Sequence, residues 1–286
     1  MYTQPELKEL IEKALNNLSC CTEAPRLYEP VRFILSIGGK RLRPVMSLMA
    51  CNLFTDMIDP AIMPAAGLEI FHNFTLVHDD IMDQAPIRRG FPTIHKKWNL
   101  NQAILSGDVM VFIANECFLQ APQAFQSRVF REFNRAAMLV CEGQQLDMDY
   151  ERSVQISHDE YLRMIELKTS VLLAASMKIG AILGGAGEED AGLLYEFGRN
   201  LGIAFQIQDD MLDIWGDSKV FGKAQGGDIV ANKKNYPLVK AIEIASGPTL
   251  KELQNLFSES GTIDPAVKVN KVIALYDSLK IKELTE

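Results

Sequence analysis

The chain is poor in the features that mark several protein classes. Its five cysteines (Cys20, Cys21, Cys51, Cys117 and Cys141) are odd in number and form no Cys-x-x-Cys pair, which argues against a disulfide framework and for reduced, mostly buried thiols in a cytoplasmic protein. No apolar run approaches membrane-spanning length; Val171 to Gly187 is broken by Lys178 and by glycines. The opening Met1-Tyr2-Thr3-Gln4-Pro5-Glu6 is no signal peptide. Positive charge is in deficit, 29 Lys and Arg against 37 Asp and Glu for a net charge of −8, which argues against a general nucleic-acid binder. Strong period-two alternation is missing, as is any repeat of about 20–50 residues, so neither a half-buried sheet nor a solenoid is expected.

What is present is a chain of 286 residues, 48% hydrophobic and 23% charged, long enough for a sizeable core. Apolar residues at helical spacing run from Pro5 to Leu18, then in a short segment from Val31 to Ile37 that stops at Gly38-Gly39. Pro25 and Pro30 punctuate the stretch between. Longer helices are predicted over Pro44–Met57, Pro60–Met82, Gln102–Leu119, Phe125–Tyr150, His158–Leu183 and Leu193–Trp215, and shorter ones over Tyr236–Ser246, Thr249–Ser258 and Ala266–Lys280. The expectation is one all-α domain over 1–286, a helical bundle around a central cavity.

Two of these helices end alike. Leu76-Val77-His78-Asp79-Asp80-Ile81-Met82-Asp83 and Phe205-Gln206-Ile207-Gln208-Asp209-Asp210-Met211-Leu212-Asp213 each carry Asp-Asp-x-x-Asp after an apolar run. Residues four apart share a helix face, so Asp79 pairs with Asp83 and Asp209 with Asp213, with Asp80 and Asp210 at the flanks. Like charges this close repel, and no basic residue lies within either cluster, so a cation has to be supplied. Hard oxygen ligands with water suit Mg²⁺, which commonly also holds substrate phosphates.

Basic segments accompany both clusters. Gly38-Gly39-Lys40-Arg41-Leu42-Arg43-Pro44 joins backbone open to close approach with three cationic side chains, and Lys40 and Arg43 can face one anion. Arg88-Arg89-Gly90-Phe91-Pro92-Thr93 reads as a loop beyond the first cluster, placed to bridge a diphosphate between metal and guanidinium. Lys168 lies in an apolar helix and needs an anion or a polar-lined cavity. A Gly/Lys loop with Gly222-Lys223, Gly226-Gly227-Asp228 and Lys233-Lys234 follows the second cluster. His72 lies two turns before Asp79, and Phe71 and Phe74 share the face of His78.

These pieces, with Ser106-Gly107-Asp108, Gly143-Gln144, Asp147 and Lys168-Thr169, occur in an order that resembles the trans-isoprenyl diphosphate synthases of the polyprenyl synthetase family, of the short-chain geranylgeranyl/farnesyl type. The resemblance covers nearly the whole chain. It implies the all-α isoprenoid synthase fold, usually a homodimer, condensing isopentenyl diphosphate with an allylic diphosphate (dimethylallyl, geranyl or farnesyl). It implies about three Mg²⁺ per site: Asp79 and Asp83 would hold two and Asp209 a third, with Asp80, Asp210 and Asp213 in support. Arg88, Lys168, Gln206, Lys223 and Lys233 would grip the allylic diphosphate, and Thr169 would line the reacting centre. Lys40, Arg43, His72 and Arg89 would hold isopentenyl diphosphate. Metal and cations would stabilise the leaving diphosphate while an allylic cation forms away from water; isopentenyl diphosphate attacks, and the proton leaves to the released diphosphate.

The growing tail is expected to run down the helix before Asp79. Phe74 lies five residues upstream, about 7–8 Å along the axis, and Phe71 about 12 Å; large side chains there would act as a floor, giving a C15 or C20 product with C20 slightly ahead. Three departures from the family pattern stand out. The first cluster lacks a two-residue insertion found in common bacterial and plant short-chain enzymes. Lys233-Lys234-Asn235 replaces Lys-Lys-Thr/Ser, and the chain stops at Leu284-Thr285-Glu286 within a helical pattern, where relatives generally have more. A class I terpene cyclase would carry an Asn/Ser/Glu triad as its second metal motif and would not need Lys40, Arg43 and Arg89 for a second diphosphate. A non-catalytic regulatory subunit would usually lose aspartates from one cluster, and both are complete.

Overall fold

The computed structural model describes residues 1–286 except 19–22, 152, 154, 217–224 and 259–262. The chain divides into two compact units, Met1–Ala137 with Leu172–Gly198, and Met138–Val171 with Arg199–Glu286. Among the described residues the regular structure is helical apart from one two-stranded hairpin.

In the first unit, α1 (Gln4–Asn16) opens with a reciprocal cap between Thr3 and Glu6. Helix α2 (Pro25–Ser36) corrects the sequence reading: it starts at Pro25, a favourable first helical position, and carries Pro30 inside it. Pro30 has no N–H for the carbonyl of Arg26, and the Gln102 side chain donates to that oxygen instead. Ser106 donates to the next carbonyl, Leu27 O, at 2.9 Å. Helices α3 (Leu42–Asn52) and α4 (Asp59–Met82) follow; α4 is buried on most sides, through Ala61, Ala65, Ala66, Leu68, Ile70, Phe71 and Val77. The segment predicted as a loop pairs Ile87–Arg88 (β1) with Phe91–Pro92 (β2), antiparallel. Strands of two residues are too short to leave a period-two signal. A short α5 (Ile94–Lys97) leads to α6 (Leu100–Phe118), capped by Asn99 and packed on α4.

Helices α7 (Gln123–Glu151) and α10 (Glu188–Trp215) contribute residues to both units, and α9 (Val171–Leu183) lies almost entirely in the first. In the second unit, α8 (His158–Ile165) starts with a Ser157/Glu160 capping box and runs into a π-helical turn over Glu166–Ser170. After α10 come α11 (Gly227–Val230), α12 (Tyr236–Ile244), α13 (Gly247–Ser258), α14 (Pro265–Ser278) and α15 (Ile281–Thr285). Ile214, Ile229, Leu238, Leu253, Leu256, Val272, Tyr276 and Ile281 form their apolar core. No described helix is long and apolar enough to cross a membrane.

Candidate functional site

In the first unit the Asp-Asp-x-x-Asp segment forms the last turn of α4, with Asp83 at its C-cap. Carboxylates at the negative end of a helix dipole raise the demand for a cation. The hairpin answers part of it: Arg88 donates to Asp80 through Nε at 2.8 and 2.9 Å, and its Nη2 lies 2.7 Å from Asp80 Oδ1 and 3.5 Å from Asp79 Oδ2. No basic residue lies within the cluster itself, and β1 brings one in from eight residues away. Asp80 is buried; burial pushes its carboxyl pKa up and Arg88 pulls it back. Asp79 is half-buried and Asp83 exposed.

Beside it lies a cationic nest. Gly38 (φ +79°) and Gly39 (φ +156°) form the turn before α3, and the Arg89 guanidinium sits 3.1 Å from where a Gly39 Cβ would be, donating to Gly38 O. Any side chain at Gly39 would displace it. Arg43 Nη1 donates to His72 Nε2 at 3.2 Å. Burial and the surrounding Arg43, Arg89, Arg88 and Arg41 charges hold the His72 imidazole well below its ordinary pKa, so it is neutral and accepts that bond. Arg43, His72 and Arg89 thus come together, and Lys40 is exposed at the same turn. Arg41, between Lys40 and Arg43 in the sequence, is turned into the core. It is 2% exposed, paired with Glu12 at 2.9 Å and Glu69 at 2.8 Å, and donates to Leu35 O. Its left-handed backbone (φ 50°) reverses its direction relative to Arg43.

Phe71 is buried in an aromatic group, edge-on to Phe133 at 5.2 Å, with Phe133 stacked on Phe118 at 4.1 Å. Phe74 is half-buried, 5.3 Å from Phe71 and 4.7 Å from the His78 ring.

The second unit holds the other cluster. Asp210 is buried; its Oδ2 accepts from the Tyr161 hydroxyl and from Tyr236 N at 2.8 Å, and its Oδ1 from Gln206 Nε2 at 2.9 Å. Burial lifts its pKa to about 6 against these donors. Gln206 Oε1 accepts from Thr169 Oγ1 at 3.0 Å. Lys168, on the π-helical turn, donates to Asp147 Oδ2 at 2.5 Å, which meets its need for an anion. Gly143 allows this: a Cβ there would lie 2.2 Å from Lys168 N. Asp213 Oδ2 accepts from Asp228 N at 3.1 Å, Asp209 is exposed and Lys233 half-buried. Asn235 caps α12 by accepting from Leu238 N at 3.1 Å and donates to Asp228 at 3.4 Å, so at the Thr/Ser position it both accepts and donates. Gly222 and Lys223 lie outside the described residues.

Sequence reasoning missed Tyr161 and Tyr236, two of the three donors on Asp210. Neither stands near it in sequence, and only the packing of α8 and α12 brings them there. In each cluster the second aspartate is clamped by protein donors. Among the described residues no three His, Cys, Asp or Glu side chains converge as a ready-made metal cage. The oxygen donors of Asp79 and Asp83, and of Asp209 and Asp213, are of the kind that suits Mg²⁺, which uses one or two carboxylates and completes its shell with water and phosphate.

Residues 24–275 match the model of the polyprenyl synthetase family. The chain is 42% identical over 226 residues to a geranylgeranyl diphosphate synthase of Sulfolobus acidocaldarius, covering 78% of this chain and 68% of that one. It is 37% identical over 248 residues to a geranylfarnesyl diphosphate synthase of Natronomonas pharaonis, covering 80% and 72%. A crystal structure of a geranylgeranyl pyrophosphate synthase superposes with a TM-score of 0.94 at 40% identity, covering 100% of this chain and 88% of that one.

Proposed function

The chain belongs to the polyprenyl synthetase family, with its all-α isoprenoid synthase fold, and from this we propose that it condenses isopentenyl diphosphate with an allylic diphosphate to a short all-trans prenyl diphosphate, C20 ahead of C15. The observation that carries the proposal is the division of labour within each aspartate cluster. Asp80 is clamped by Arg88, and Asp210 by Tyr161, Tyr236 and Gln206. Each clamp fixes the helix end that presents Asp79 and Asp83, or Asp209 and Asp213.

In this reading Arg43, neutral His72, Arg89 and Lys40 hold the isopentenyl diphosphate. Arg88, Lys168, Gln206, Lys223 and Lys233 orient the allylic diphosphate so that its C–O bond breaks with both electrons leaving on oxygen. Asp79, Asp83 and Asp209 would hold about three Mg²⁺, which would supply charge stabilisation for that leaving group. Asp147 fixes Lys168, and the Thr169 hydroxyl and Gln206 amide, held together by their hydrogen bond, would stabilise the positive charge that develops on the reacting carbons. The isopentenyl double bond then forms the new C–C bond, and the proton it sheds passes to the released diphosphate. Phe74 floors the tail channel, backed by Phe71. We further propose that the chain acts as one domain over 1–286, as a homodimer, in the cytoplasm; the buried thiols of Cys51 and Cys117, pushed up to about 11 and 12, suit a reducing compartment.

The test is a product assay with Mg²⁺, labelled isopentenyl diphosphate and, separately, dimethylallyl, geranyl and farnesyl diphosphates. Linear C15 or C20 alcohols after dephosphorylation are expected, and longer ones from Phe74→Ala. Products of C30 or more from the wild type would refute the floor, and no elongation with any primer would refute the reaction.

A further inference from the structure

Two lysines outside this machinery are buried together in the second unit. Lys234 and Lys268 are 7% and 6% exposed. Asn232 stands between them in a left-handed turn (φ 58°) that points two oxygens inward. Lys268 Nζ donates to its side-chain oxygen, and Lys234 Nζ lies 3.5 Å from its backbone oxygen. The Phe257 ring covers Lys268, with Nζ 4.9 Å from the centroid. Among the described residues neither ammonium forms an ion pair; the Glu151 charge raises the Lys234 pKa, against a larger lowering by burial.

Neutral carbonyls and a ring face do not balance two buried positive charges, and an uncompensated buried charge costs several kcal/mol. Burial lowers the pKa of both lysines, and the Lys234 charge lowers that of Lys268 further. Paired cations, spare N–H donors and an amide at the same point match the chemistry of a tetrahedral oxyanion.

We propose that Lys234, Lys268 and Asn232 form a binding site for a compact inorganic anion of the phosphate type, separate from the residues assigned to the prenyl diphosphates. The site is joined to the second aspartate cluster. Asn235, next to Lys234, reaches Asp228, and the backbone of Tyr236 donates to Asp210. An anion held there would brace the segment that carries Lys233.

The test is thermal unfolding in EDTA with sodium phosphate titrated against sodium chloride at matched ionic strength, for the wild type, Lys234→Gln and Lys268→Gln. Glutamine keeps a donor for Asn232 and removes the charge. The expected result is a saturable phosphate-specific rise in Tm whose midpoint weakens about tenfold or more in each variant, while both variants melt at or above the wild type in chloride alone. Equal midpoints, no phosphate-specific rise, or variants that melt below the wild type in chloride would each overturn the site. Geranyl diphosphate is run in parallel. A lysine-dependent shift with it and none with inorganic phosphate would assign a lipid headgroup and overturn the compact-anion proposal.

Discussion

Arg88 and Asp80 form a two-pronged pair, Nε and Nη2 both within 2.9 Å of the carboxylate, with Nη2 also reaching toward Asp79. The guanidinium therefore aims the carboxylates proposed to hold metal as well as offering charge. A lysine cannot reproduce a planar fork. Arg88→Lys is expected to weaken Mg²⁺ activation and kcat/KM by about 10- to 100-fold, as removal of an outer-shell partner does, with an unchanged Tm. Asp79→Ala should lose turnover far more than stability. An Mg²⁺ activation curve for Arg88→Lys that overlays the wild type would show that Arg88 contributes charge alone.

Gly143 faces backbone, not a movable side chain. A Cβ there would fall 2.2 Å from Lys168 N and 2.6 Å from Leu167 C, so α7 and the π-helical turn must part. Gly143→Ala is expected to cost about 1–3 kcal/mol by overpacking and to lower kcat about a hundredfold, since a shift near 1 Å at a positioning group suffices for that. Chemical denaturation and steady-state kinetics on one preparation measure both. Wild-type kcat in the variant would mean that the Lys168–Asp147 geometry is not rate-determining.

How much of this could be read from the residues differs from place to place. Helix α4 was legible because its apolar run and terminal aspartates leave a dense pattern, and the observed Asp59–Met82 nearly matches the expected span. Helix α2 was misjudged because Pro30 normally signals a break; only the Gln102 side chain, far along the chain, replaces the lost partner of Arg26. The π-helical turn under Lys168 and Thr169 adds one residue to a turn without changing composition, so periodicity could not expose it. Arg41 and Arg43 are chemically alike in the sequence. The left-handed backbone at Arg41 accompanies the turn by which one enters the core and the other the cationic nest.

That placement of Arg41 is itself testable. Glu69 is 2% exposed and its Oε1 accepts from Arg41 at 2.8 Å and from Asn73 at 3.0 Å. Arg41→Met strands a buried carboxylate and is expected to cost about 3–5 kcal/mol in urea unfolding, whereas Arg41→Met with Glu69→Leu should recover much of the loss. Additive losses in the double variant would show that the pair does not act as a unit.

Asp210 sets a pH signature. Its folded pKa of about 6 lies above the ordinary 3.8, chiefly from burial, with Tyr161, Tyr236 N–H and Gln206 opposing. Between those values the folded chain holds a proton that the unfolded chain has lost, so stability falls as pH rises through this window and levels off above about 6. The gap corresponds to at most about 3 kcal/mol. In EDTA, the wild type is expected to lose stability relative to Asp210→Asn between about pH 4 and 7, the variant having no carboxyl to ionise. Tyr161→Phe removes a donor that favours the ionised form and should move the inflection upward. Parallel profiles for wild type and Asp210→Asn would mean that Asp210 stays ionised in the fold, and that the donors around it outweigh its burial.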